Sequence, residues 1–173
     1  AGVRPKVSPD MALAFFQRGI LKEGDQAVVD FTEALVFDSL LDMAYVERGR
    51  IHVAEGSFPE AIKDFGQAVH IDSDNLAIVK DDFAKAHRLH GEQSFKLNQF
   101  HQAVMDFKQA LDLDNTLAPL VRTSLSQSYY ELAQEGLDNG NLDTALDHFD
   151  HALAVDPSMV LAFIGKGRCH LQM

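Results

Sequence analysis

The stretch AIKDFGQAVHID at residues 61–72 has three counterparts: AVVDFTEALVFD at 27–38, AVMDFKQALDLD at 103–114 and ALDHFDHALAVD at 145–156. Each opens on an alanine (Ala27, Ala61, Ala103, Ala145) and places phenylalanine four residues later (Phe31, Phe65, Phe107, Phe149). A second alanine follows three beyond (Ala34, Ala68, Ala110, Ala152), and an aspartate closes each copy (Asp38, Asp72, Asp114, Asp156). With Val28, Ile62, Val104 and Leu146 the apolar positions fall at i, i+1, i+4 and i+7, one stripe of an α-helix. Four amphipathic helices of the same register are expected.

Ahead of each phrase lies a further amphipathic segment holding one small residue: Gly19, Gly49, Gly91 and Ala133, with Gly167 in a fifth copy. Glycine inside a helix costs about 0.5–1 kcal/mol relative to alanine, so its return at one register implies the close approach of another backbone. Between the paired segments stand Gly24, Gly56, Asn98 and Gly140, residues able to take the left-handed conformation that ends a helix. The repeating unit is therefore a helical hairpin.

Composition narrows the function classes. Over 173 residues, 15 Lys+Arg stand against 26 Asp+Glu, a formal charge of −11 that would repel nucleic acid. With 46% hydrophobic residues and only 5 prolines the chain is built to fold. No apolar run is long enough for a membrane span. The single cysteine, Cys169, excludes an internal disulfide framework and suits a reducing compartment, so an intracellular, cytoplasmic location is expected. Residues 1–8 lack the apolar stretch of a signal peptide and an initiator methionine, and are expected to be an N-terminal extension of a piece excised from something longer.

In its order of parts the unit resembles the tetratricopeptide repeat (TPR), which has an aromatic, a Leu-Gly pair and a Tyr in the first helix, then Ala, Phe and Ala in the second, then Pro. Tyr45, Gly49, Gly56, Ala61, Phe65 and Ala68 carry the match in repeat two, and Tyr129, Leu132, Gly140, Ala145, Phe149, Ala152 and Pro157 in repeat four. There is no Trp, and Ser73 and Asn115 stand where Pro is usual. The resemblance implies an all-α fold, a right-handed α-solenoid of antiparallel helix pairs with about nine helices. It forms a single array over 9–173, with repeats at 9–40, 41–74, 75–115, 116–157 and a partial one at 158–173.

The spacing adds detail. Ala27 to Ala61 spans 34 residues, but Ala61 to Ala103 and Ala103 to Ala145 span 42. The eight extra residues precede the small residue, at 74–83 and 116–125, which predicts first helices of about 22 residues in repeats three and four. These would project about 12 Å past their neighbours, with Pro119 in a first turn. Ser8 and Pro9 are expected to start the first helix. In repeat one, Gly19 to Ala27 is only 8 residues, which predicts a tighter turn. The fifth copy has Phe163, Gly167 and Leu171 but no second helix, so its apolar face should be partly bare.

In this family stacked first helices line a concave groove. That register places Arg50, Lys85, Arg88, Glu92, Phe95, Tyr130, Gln134 and Arg168 there. The resemblance thus implies a groove for a peptide or helical segment of another protein, with cations suited to acidic residues and aromatics to apolar anchors. The same residues could equally be solvated helix faces with ion pairs such as Arg88 with Glu92. The clamp that grips the C-terminal tail of Hsp70/Hsp90 chaperones is not matched: its cation and amide places hold residues such as Phe16, Glu47, Leu89 and Glu131, so that partner is excluded.

Eight histidines include the i, i+3 pairs His87/His90 and His148/His151, but two nitrogens do not make a zinc site and no HEXXH or CxxC occurs. No metal, no cofactor and no catalysis are expected: there is neither a glycine-rich phosphate loop nor GxSxG, and Cys169 has no triad context. Two functions remain. One is a non-catalytic scaffold whose groove recruits another protein; the other is an assembly module that forms a homo-oligomer through its C-terminal helix and the projecting helix ends.

Overall fold

A computed structural model describes residues 8–173. The helices run in pairs: α1 (Pro9–Ile20) with α2 (Gly24–Phe37), α3 (Asp42–Glu55) with α4 (Phe58–Ile71), α5 (Asn75–Lys96) with α6 (Phe100–Leu113), and α7 (Ala118–Asp138) with α8 (Leu142–Val155). A last helix, α9 (Val160–Gln172), follows. Among the described residues there is no strand, and the fold is an all-α succession of helix pairs of the solenoid class. Contacts divide the chain into two compact units, the first ending at Ala86 and the second beginning at His87, within α5. The extension expected at 1–8 lies, Ser8 apart, outside the described residues.

Each second helix is 14 residues long and has the phrase's first alanine in its fourth position. The aspartate that closes each copy is the C-cap, with an extended backbone at φ −142°, −139°, −143° and −130° in chain order. Its carboxylate accepts the backbone N–H two residues on, at 3.0 Å for Asp38 with Leu40, 2.9 Å for Asp72 with Asp74, 2.9 Å for Asp114 with Thr116 and 3.1 Å for Asp156 with Ser158. These are Asx turns, which redirect the chain without stranding a donor. Gly24, Gly56, Asn98 and Gly140 all have positive φ, as predicted for the hairpin connections.

Within the first three pairs the phenylalanine of the second helix lies against the small residue of the first. A Cβ built on Gly19 would stand 2.7 Å from Phe31, on Gly49 2.8 Å from Phe65, and on Gly91 2.8 Å from Phe107, all too close for a real side chain. The four phenylalanines and the eight phrase alanines are buried. In the first unit, two clusters of buried side chains form around Phe31 and Phe65, the latter ring tilted on Phe83 at 5.8 Å. In the second unit one cluster holds Phe107, Val121, Leu125, Tyr129, Phe149 and Cys169. Burial pushes the Cys169 thiol above its ordinary value, as for a packing residue.

The long first helices follow the residue count: α5 has 22 residues and α7 has 21, with Pro119 in the opening turn of α7 after a 3-10 turn at Asn115–Leu117. Asn75, at the start of α5, donates from Nδ2 to the Ala68 carbonyl at 3.0 Å and to Asp42 at 2.8 Å. Pro9 begins α1 as expected, although Ser8 makes no side-chain cap bond.

Two expectations are corrected. The connection in hairpin one is not tighter: residues 21–23 join α1 to α2, as many as join the third and fourth pairs. The four lost residues come from the end of α1, which stops one residue after Gly19, whereas α3 runs on from Gly49 to Glu55. The register assigned to Gly167 as a site of close approach also fails, because a Cβ there meets nothing within 4 Å; the buried, close-packed glycine of α9 is Gly165, against Phe149. Gly167 is exposed, and among the described residues no helix follows α9.

The Phe-on-Gly contact gives a double-mutant prediction read by chemical denaturation. Phe65→Ala should cost about 3–5 kcal/mol through loss of a fully buried ring, and Gly49→Ala about 1–3 kcal/mol through overpacking. In the Phe65→Ala background the added methyl should cost nearly nothing or stabilise; additive costs would contradict the contact.

Candidate interaction surface

The eight residues expected to line a groove all lie on first helices, Arg50 and Lys85 in the first unit and Arg88, Glu92, Phe95, Tyr130, Gln134 and Arg168 in the second. Arg50 is held from two helices: its Nη1 donates to Glu47 at 2.7 Å and its Nε to Asp82 of α5 at 3.0 Å. Burial works against its charge, but these carboxylates more than offset that and raise its pKa. Lys85 is exposed.

In the second unit Arg88 pairs with Glu92 along α5, the i, i+4 pairing anticipated. Phe95 is half-buried, edge-on to Phe100 with centroids 5.9 Å apart. Tyr130 is half-buried on Phe149, and its hydroxyl accepts a hydrogen bond from Gln134 Nε2 at 2.7 Å. Arg168 is exposed on α9. The two aromatics thus present edges rather than whole rings, and Arg50 and Arg88 are already neutralised.

Sequence reasoning missed a second set of polar side chains, inside the hairpins. In the first three hairpins the residue before the small residue faces the residue before the phenylalanine, Arg18 with Asp30, Arg48 with Asp64 and His90 with Asp106, and the fourth holds Leu132 and His148 at the equivalent places. Arg18 binds Asp30 with two donors at 2.8 and 2.6 Å, and Arg48 binds Asp64 at 2.8 and 2.7 Å, the bidentate geometry that makes such pairs strong. Hydrogen bonds from Arg18 and then Lys22 hold the Asp30 carboxyl at about 2. In the third hairpin, His87 Nδ1 stands 2.8 Å from Asp106 Oδ1, and His90 Nδ1 lies 2.7 Å from Oδ2 but off the line of a hydrogen bond. Burial works against the Asp106 charge, but bonds from His87 and Gln102 and the nearby histidines keep its carboxyl below the ordinary range.

In the fourth hairpin no carboxylate remains at that place. His148 sits 6.2 Å from the Tyr129 ring and 6.4 Å from His101, with His151 stacked on Tyr129 at 5.1 Å. Its Nδ1 is buried without a partner, and burial, then the charges of His101 and His151, lower its pKa against the pull of Asp147. Among the described residues no three metal-ligating side chains converge. Two close-packed glycines were also missed, Gly165 and Gly136; a Cβ on the latter would come 3.3 Å from Ala145. Both sit mid-helix, the signal that identified Gly49.

The family model described as tetratricopeptide repeat matches residues 130–172, from mid-α7 to the end of α9. The chain resembles the crystal structure of MamA at 18% identity, with 94% of this chain and 79% of that one covered and a TM-score of 0.37. It resembles YrrB, titled a TPR protein with an unusual peptide-binding site, at 23% identity, 94% and 74% coverage and a TM-score of 0.39. For PilW, titled a widely conserved type IV pilus biogenesis factor, the values are 17%, 95% and 91%, and 0.40. Such scores carry no argument about function, and no curated protein matches. The matched segment carries the fourth copy of a phrase found in all three preceding hairpins, so the tetratricopeptide-repeat match falls on one of four like units. The class is one of protein–protein interaction scaffolds, and no helix among the described residues is long and apolar enough to cross a membrane.

His148 has a consequence for stability. Its folded pKa lies below the 6.5 of the free side chain, so below about pH 6.5 the unfolded chain takes up the proton first and folding weakens. The carboxylates held low, Asp30, Asp106 and Asp156, lose their contributions only near and below 3.8. Thermal unfolding should therefore fall between pH 7 and 5, and His148→Gln should reduce that fall; an identical fall in the variant would refute the assignment.

Proposed function

We propose that the chain is a non-catalytic scaffold that binds a peptide or helical segment of another protein along its first helices, in the concave groove expected of the family. Arg50 and Lys85 contribute from the first unit, and Arg88, Glu92, Phe95, Tyr130, Gln134 and Arg168 from the second. The observation that supports this is the fixing of side chains before any partner arrives: Arg50 by Glu47 and Asp82, Tyr130 by Gln134 and the Phe149 ring. Side chains already ordered lose little freedom on binding, where each rotamer-rich side chain immobilised would otherwise cost about 0.5–1.5 kcal/mol. Arg50 and Arg88 then act by exchanging a carboxylate of their own chain for one of the partner.

A second reading, self-association through α9, has its own support: Val160, Leu161, Phe163, Ile164, Leu171 and Met173 are each more than half exposed. Light scattering across concentration separates the two, since a strictly monomeric species at high concentration removes self-association.

For the first reading, immobilised protein is exposed to extract of the source cell and the captured partner mapped by peptide. Arg50→Glu with Arg88→Glu should lower capture about tenfold or more while the helical circular dichroism stays unchanged. Unchanged capture would remove these residues from the binding surface.

A further inference from the structure

The turn missing from α1 leaves space in the first unit. Because α1 stops at Ile20 while α3 continues to Glu55, the last turn of α3 has no first-helix neighbour on that side, and a cavity of about 360 Å³ opens there. Its apolar lining comes from Ile20, Ile51 and Ala54, with the edge of the Phe31 ring. Three glutamates, a lysine and an arginine stand around it.

These charges do not cancel. Lys22 shares the buried Asp30 with Arg18, its Nζ at 2.8 Å, and Arg50 is shared between Glu47 and Asp82, so that with Glu23 and Glu55 three cations face five carboxylates. Glu23 and Glu55 have no ion-pair partner among the described residues. The N-terminus of α2 lies beside them, since a Cβ on Gly24 would stand 3.6 Å from Glu55 Oε1. A helix N-terminus supplies about half a positive charge, against two whole carboxylates. The mouth of the cavity stays anionic over an apolar floor.

We infer that this cavity receives a basic side chain, lysine or arginine, from a partner polypeptide. The aliphatic stem lies on Ile51 and Ala54, as such stems do on apolar surface, and the cationic head reaches Glu23 and Glu55. Glu23 and Glu55 are exposed at the rim, where a cationic head can pair with them and an acidic one would be repelled. A hard metal ion, which takes six or more oxygens, finds too few here. The inference stands apart from the first-helix reading, which does not use Glu23 or Glu55, so either can fail alone.

The test is a titration of isotopically labelled protein, followed by amide chemical shifts, with a capped peptide of four alanines around a central arginine. The control peptide carries citrulline, which keeps the stem and removes the charge. The arginine peptide should move the amides of Gly24, Ile51, Ala54 and Glu55 in a saturable way, and the citrulline peptide should not. Glu23→Gln with Glu55→Gln should weaken binding about tenfold with the helical signal intact. Equal shifts from both peptides, no shifts at these amides at millimolar peptide, or unchanged affinity in the double variant would each overturn the inference.

Discussion

A phenylalanine ring laid against a residue with no side chain is the contact on which the other features of each hairpin depend. Two helices joined by two or three residues must cross somewhere, and the crossing here is set where Gly19, Gly49 and Gly91 let Phe31, Phe65 and Phe107 come within what would be overlap distance of a Cβ. The alanines on either side of each ring are buried for the same reason: a larger side chain would hold the helices apart. The fourth hairpin solves the problem differently. Ala133 replaces the glycine, Gly136 admits the backbone of Ala145, and Phe149 is turned against Gly165 of α9.

The helix pairs, the left-handed connections and the long α5 and α7 were legible because they depend on residue type and count at fixed intervals. Eight extra residues ahead of a glycine can only lengthen what precedes it. Four missing residues between Gly19 and Ala27 are ambiguous, since a count does not say whether a helix or its connection gives way. Here the helix did, because Gly24 can still adopt the positive φ that opens α2. The polar clamps were hidden for another reason. The same two places hold Arg and Asp, Arg and Asp, His and Asp, then Leu and His, so a search for identity passes over them.

Those clamps also change the meaning of the charge count. Of the cations in the first unit, Arg18, Lys22, Arg48 and Arg50 are each engaged with carboxylates of the same chain. The sequence suggested a groove of cations waiting for an acidic partner; the structure shows Arg50 and Arg88 already paired, while Glu23 and Glu55 near the end of α1 have no ion-pair partner among the described residues. Exposed ion pairs contribute a median of about 0–1 kcal/mol, whereas Arg18 and Arg48 each hold a buried carboxylate, Asp30 and Asp64, with two donors. Their larger effect is to fix side-chain geometry, which is what a preorganised binding surface requires. How the eight first-helix residues divide between a partner and the solvent was not legible from register alone, because Phe95 and Tyr130 are drawn toward the core by Phe100 and Phe149.

The central claim concerns the ring and the glycine, and nuclear Overhauser contacts between phenylalanine ring protons and glycine Hα protons read it directly. Cross-peaks should join Phe31 to Gly19, Phe65 to Gly49 and Phe107 to Gly91, while Gly167 shows none to any aromatic ring. Loss of the first three, with the rings instead showing the narrow lines of water-exposed side chains, would contradict the account.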